Sequence, residues 1–260
     1  MVVFFDIDGT IIDEHSQTIP ESAIRAIARL RENGHVPVVN TGRPYTHIDP
    51  RVRNMAFSGW VCGCGMEVLL DGNWLMRKMP SAEECRFVRD AVRSHNMQVL
   101  YEAQEGAVFT DGALSVHPEI VKEYSQMAER GIVVKDVDEE NPVFMKMITY
   151  DWENCRREEF LKAMEPIYTC IDRGNTMVEM VLKGYSKAGG MERLLEALGV
   201  SREETIAIGD STNDLPMFGV AKHTVCMGNG MQELKEQAEF ITDTVLNDGI
   251  EKALKNFQLL

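Results

Sequence analysis

No stretch of this 260-residue chain approaches about 18 consecutive apolar residues, so no membrane span is expected. Basic residues are in short supply: 27 Lys and Arg stand against 41 Asp and Glu, a formal net charge of -14. A chain this acidic lacks the basic face that nucleic acid or an anionic membrane requires, and neither is expected as a partner. A phosphorylated ligand is not excluded, because a metal ion and a few placed cations can invert the field inside a pocket. Cysteine is sparse and scattered, at Cys62, Cys64, Cys85, Cys155, Cys170 and Cys226. In a chain this long that spacing reads as reduced thiols of a cytoplasmic protein, not a disulfide frame. Cys62-x-Cys64 lacks the second pair that a zinc site needs, and the six His show no ligand spacing. Met1-Val2-Val3-Phe4-Phe5 runs straight into Asp6 without a basic n-region, so no signal peptide is expected. No obligate protein partner is evident.

What is present is an alternation of buried strands and helices at both ends. The chain is long for one simple domain and short for two, which suits a core with a smaller module. Val2 to Phe5 and Val36 to Val39 are short continuous apolar runs of the kind found in parallel sheets. Between them Ile24, Ile27 and Leu30 recur at helical spacing, and Asn33-Gly34 ends the helix. Val68 to Met76 reads as a hairpin about Asp71-Gly72. Near Pro80 the pattern changes. Ser81-Ala82-Glu83-Glu84 is a capping box, and a helix near Pro118 to Arg130 and strands near 98–101, 107–110, 143–150, 168–171 and 176–181 follow. Asp151 is expected to cap a helix ending before Pro166. From Ser186 a helix, the strand Thr205 to Ile208 and further helices resume the first pattern. The expected fold class is therefore α/β: a Rossmann-like, doubly wound parallel-sheet core with an inserted α+β cap. Its bounds are 1–79 and 187–260 for the core and 80–186 for the cap.

Open α/β sheets bind ligands beyond the carboxyl ends of their strands. Three strands here end in polar groups that would meet there: Asp6 and Asp8, then Thr41-Gly42-Arg43, then Gly209-Asp210 with Asn213-Asp214. Like charges gathered so closely need a cation or protons. An all-oxygen set suits Mg²⁺. A carboxylate can attack phosphorus. A second acid two residues along, Asp8, can protonate the leaving oxygen and then deprotonate water. The Thr41 hydroxyl and Gly42 N–H can hold phosphate oxygens, and Lys187, in the first turn of a helix, can add positive charge.

Asp6-Ile7-Asp8-Gly9-Thr10, Thr41-Gly42-Arg43, Lys187 and Gly209-Asp210-Ser211-Thr212-Asn213-Asp214 together resemble, in order, the four motifs of the haloacid dehalogenase superfamily. The size and place of the insert, and the runs Asn213 to Phe218, Met227 to Gly230 and Asn247 to Ile250, resemble its Cof-type phosphatases with a type IIB-like cap. The resemblance implies a Mg²⁺-dependent phosphatase acting on small phosphorylated metabolites, sugar phosphates first, through an aspartyl phosphate. It implies that Asp6 is nucleophile and metal ligand. Asp8 would be the acid/base and bind metal through its backbone carbonyl, with Asp210 the third ligand. Thr41, Gly42, Lys187 and Asn213 would hold the phosphoryl group, supported by Asp214 and Arg43. Two departures are visible: Gly63-Cys64-Gly65 stands where Asn-Gly-Ala is common, and Asn40 where Ala is common. Both are expected at the rim of the site.

Other readings stand beside these. A phosphomutase would return the phosphoryl group to its sugar, and a phosphate-binding module without turnover would keep the same motifs. Arg43 suits a structural salt bridge as well as a substrate contact. Asp214 suits a helix cap. Glu179, near the end of a strand, is a candidate for substrate contact or an ordinary exposed residue.

Overall fold

In the computed structural model, which describes residues 1–103, 106–138, 140–174 and 176–260, the strands expected at 2–5, 36–39 and 205–208 are present, the last two each longer by a residue, and those expected at 98–101 and 168–171 run on to 103 and 174. In chain order the elements are β1 (Val2–Phe5), α1 (Glu21–Glu32), β2 (Val36–Asn40), α2 (Pro50–Arg53), β3 (Gly59–Cys62), β4 (Glu67–Leu70) and β5 (Asn73–Arg77). Next come α3 (Ala82–Ser94), β6 (Gln98–Ala103), β7 (Ala107–Thr110), α4 (Pro118–Glu129), β8 (Val133–Asp136), β9 (Phe144–Tyr150), α5 (Arg157–Met164), β10 (Tyr168–Gly174) and β11 (Met177–Leu182). The chain closes with α6 (Lys187–Leu198), β12 (Thr205–Gly209), α7 (Leu215–Val220), β13 (His223–Cys226), α8 (Gln232–Lys235), β14 (Phe240–Ile241) and α9 (Gly249–Asn256).

Two compact units result: Met1–Gly42 with Asp49–Arg77 and Ser186–Leu260, and Arg43–Ile48 with Lys78–Tyr185. The first holds an eight-stranded sheet in the order β14-β13-β12-β1-β2-β3-β4-β5. Six of these strands run parallel, and β4 and β5 turn back as an antiparallel edge. Side chains alternate across a strand. Val2 and Phe4 therefore pack on one face with Met191 and Leu194 of α6 and Met217 of α7. Val3 and Phe5, also fully buried, point to the other face, where α1 packs against β2 and α9. This is a doubly wound α/β core, as the alternating pattern requires.

The second unit is a six-stranded, mostly antiparallel sheet ordered β10-β11-β9-β6-β7-β8, with only β7 and β8 parallel. α3 begins at the expected capping box, with Ser81 and Glu84 each bonded to the other's backbone. α4 packs Ile120 against Leu100, Val108 and Ile148 of the sheet. One local expectation fails here, and one strand is new. Asp151 does not cap a helix. It accepts two hydrogen bonds from Arg157, and α5 starts only there. β8 was not expected from the sequence, because its four residues alternate only weakly and none is fully buried. Arg43–Ile48 also sits with this second unit, although in sequence it lies between core segments. No helix among the described residues is long and apolar enough to cross a membrane.

Candidate active site

Register brings the predicted residues to one edge of the core sheet. Phe5 of β1 pairs with Val39 of β2 and with Ile208 of β12, so the residues that follow, Asp6, Asn40-Thr41 and Gly209-Asp210, leave the sheet side by side. The Asp6 N–H still donates to the Ile208 carbonyl at 3.0 Å. The chain then folds back at once: the Gly9 N–H bonds to Ile12 and the Ile11 N–H to Ile7, and Asp8 is left half-buried in the bend. Gly9 has a φ of +73°, and a Cβ there would meet the Asp210 carboxylate at 2.3 Å. The Thr10 hydroxyl donates to that carboxylate at 3.2 Å, a contact that the sequence reading did not foresee. Its signal lay inside the first motif, as the residue after the obligatory glycine.

Lys187 enters from the first turn of α6, which Ser186 caps through the Gly189 N–H. Its ammonium, 3% exposed, donates to Asp6 Oδ1 at 2.8 Å and to Asp214 Oδ1 at 2.6 Å. The other oxygen of Asp214 accepts the backbone N–H groups of Asp210 at 2.9 Å and Ser211 at 3.2 Å. Asp214 thus does more than cap a short helix: it ties the lysine to the loop that carries Asp210. Asn213 lies half-buried in the same turn, with its Oδ1 accepting the Ser211 hydroxyl at 2.8 Å. Thr41, buried, follows β2 with its N–H on the Val61 carbonyl. Arg43, Tyr45 and His47 belong to the other unit.

Glu179, also of that unit, is not an exposed residue. It accepts from Lys146 at 2.5 Å and from Arg173 Nε at 2.9 Å, and is 6% exposed. Burial works against its ionisation, but Lys146 and Arg173 overcome that and hold its carboxyl near 2. Asn40 also departs from its expected place at a rim, being fully buried at the end of β2.

The cluster is one that could hold a cation. Carboxylate oxygens of Asp6, Asp210 and Asp214 all lie within 4.8 Å of one another. With all three ionised, the acids would outnumber the one ammonium by two charges. Burial pushes the Asp6 carboxyl up to about 7 against the pull of Lys187, and Asp214 and Asp8 push the same way. Burial, then Asp6 and Asp214, carry Asp210 up to about 9. Burial opposes the Lys187 charge too, yet Asp214 and Asp6 outweigh it and raise its affinity for the proton. The all-oxygen donor set fits a hard divalent cation. Of the three acids, Asp214 already accepts three donors, so Asp6 and Asp210 are better placed to give an oxygen to a metal.

The model of the haloacid dehalogenase-like hydrolase family matches residues 3–254. The chain belongs to that family. Among curated relatives, the putative phosphatase YkrA of Bacillus subtilis is 28% identical over 261 residues, covering 100% of this chain and 98% of the relative. The 5-amino-6-(5-phospho-D-ribitylamino)uracil phosphatase YcsE of the same organism is 26% identical, with 99% and 96% covered. Among solved structures, a haloalkanoate-superfamily phosphatase from Bacteroides thetaiotaomicron superposes with a TM-score of 0.83 at 26% identity, covering 100% of this chain and 95% of that one. The expected superfamily and the expected hydrolase class agree with these relatives.

Proposed function

We propose that this hydrolase is a Mg²⁺-dependent phosphatase of small phosphorylated metabolites, sugar phosphates among them, working through an aspartyl phosphate on Asp6. The observation that carries the reading is the buried Lys187 ammonium held 2.8 Å from Asp6. A cation so placed can serve both the nucleophile and the group it attacks. The phosphorylated ribityl group named for the YcsE relative supports the substrate class.

In this reading an Asp6 oxygen attacks phosphorus and the bond from phosphorus to the leaving oxygen breaks. Asp8 gives that oxygen a proton. Asp8 then takes a proton from water as the water attacks phosphorus, and the Asp6 carboxylate and inorganic phosphate are released. Thr41, Gly42, Lys187 and Asn213 hold the phosphoryl oxygens throughout. Asp6, the Asp8 backbone carbonyl and Asp210 would hold Mg²⁺, which would offset repulsion between the two anions. Asp214 fixes Lys187, and Arg43 supports from beyond the Thr41-Gly42 turn. Residues 1–79 and 187–260 act as the catalytic core and 80–186 as the cap that selects the alcohol portion.

The test is phosphate release from a panel of phosphorylated metabolites with Mg²⁺, and with a chelator as control. Chelator-sensitive release from hexose or pentitol phosphates is expected, without a bisphosphate activator. No release from any ester would sink the reading. Release only with a bisphosphate present would point to a phosphomutase instead.

A further inference from the structure

We infer that Asn40 is a positioning residue for Lys187, fixing the first turn of α6 through its side-chain amide. The inference rests on the phosphatase reading above.

Asn40 is the last residue of β2 and is fully buried. Its Nδ2 donates to the backbone carbonyl of Lys187 at 3.2 Å. The same nitrogen lies 3.6 Å from the Met217 sulfur, a weak acceptor. Its Oδ1 has no hydrogen-bond partner among the described residues. The reverse amide orientation would set two carbonyl oxygens face to face, so the network itself requires Nδ2 toward Lys187. A stranded buried acceptor destabilises a fold. The surroundings, with Val38, Val61 and Met217 in one apolar cluster, would accept a hydrocarbon side chain. An amide kept there against its own solvation therefore points to the one strong bond it makes.

That bond has a mechanical sense. Lys187 is held at its ammonium by Asp6 and Asp214 and at its peptide by Asn40. The residue after Asn40 is Thr41, a phosphoryl-binding residue in the reading above. One strand end thus sets both Thr41 and the height of the lysine. α6 is packed tightly here as well: a Cβ at Gly190 would stand 2.3 Å from Val61, the residue paired with Asn40 in the sheet, and 2.8 Å from Gly65.

Asn40→Leu is close in volume, lacks the donor and removes the stranded acceptor. With p-nitrophenyl phosphate and Mg²⁺, kcat/KM should fall by about tenfold or more while Tm holds or rises. Calorimetric affinity for inorganic phosphate, with MgCl₂ present, should weaken by about fivefold. In a Lys187→Met background Asn40→Leu should weaken it no further, because the residue acts through the lysine. Activity within about twofold of native, a fall in Tm that parallels the loss, or equal weakening in both backgrounds would overturn the inference. Should Asn40→Leu fail to accumulate, Asn40→Ala carries the same calorimetric cycle. That cycle needs no turnover, so it decides the role of Asn40 even if no ester is hydrolysed and the phosphatase reading fails.

Discussion

The Lys187 ammonium donates to Asp6 Oδ1 at 2.8 Å, across 181 residues of sequence and with both groups buried. The pairing explains how a carboxylate shifted toward neutrality by burial is still available as an anion near neutral pH. It also makes the two residues separable by experiment.

Asp6→Asn should abolish phosphate release while leaving the fold intact. It replaces a buried carboxyl that burial disfavours by a neutral isostere, so Tm should not fall. Asp8→Asn should slow both half-reactions. Residual turnover by Asp6→Asn above a few per cent of native would remove Asp6 from the role of nucleophile.

Asp214→Ala should destabilise the core by about 3 kcal/mol, because it leaves a fully buried lysine with one carboxylate and orphans the N–H groups of Asp210 and Ser211. Urea unfolding in the presence of chelator is the measurement. A loss seen only when Mg²⁺ is present would make Asp214 a metal ligand and not the anchor of the lysine.

Stability should depend on pH in a direction set by Asp6 and Asp210. Both carboxyls are raised in the fold, to about 7 and about 9, with burial the first cause of each. Between the ordinary carboxylate range and these values the folded chain binds more protons than the unfolded one, so stability falls as pH rises. In chelator, Tm should decline from about pH 5 to about pH 9. Added Mg²⁺ should raise Tm more at about pH 8 than at about pH 6, since protons and metal compete for the same oxygens. A Tm in chelator that climbs across this interval would contradict the buried carboxylate cluster.

The second unit should show the opposite slope at acid pH. Glu179 is depressed from 4.5 to about 2, burial opposing its charge and Lys146 and Arg173 overcoming it. Its contribution is whole above the ordinary glutamate value and lost as pH falls toward 2. Glu179→Ala should lower stability by about 3 kcal/mol at neutral pH, because it takes from the buried Lys146 the carboxylate that lies 2.5 Å from its ammonium. Equal acid sensitivity in the variant and the native chain would show that this carboxylate is not what titrates.

Much of the core was legible in the sequence because parallel strands buried on both faces leave unbroken apolar runs, as at Val2 to Phe5 and Thr205 to Ile208. Asp6, Lys187 and Asp210 were legible because each falls at a strand or helix end, and Asp8 because it follows Asp6 by two residues. Asn40 was not, because a polar residue closing an apolar run reads the same whether it turns out to solvent or in to a helix. β8 was missed for a related reason: four half-exposed residues ending in Lys135-Asp136 carry too little periodicity. Thr10 and Asp214 sat in the motifs, but their bonds join segments about 200 residues apart or cross between side chain and backbone, which spacing alone does not encode.

The short segment Arg43–Ile48 makes the chain cross between its two compact units more often than a simple insertion would. For protein engineering this has a practical result. A chimera that exchanges only 78–185 with a relative strips the incoming piece of six residues it packs with and leaves behind six that were shaped for the departed one. Transplanting specificity between such enzymes therefore calls for two simultaneous grafts, and recombination that respects only one boundary should yield misassembled, protease-sensitive products.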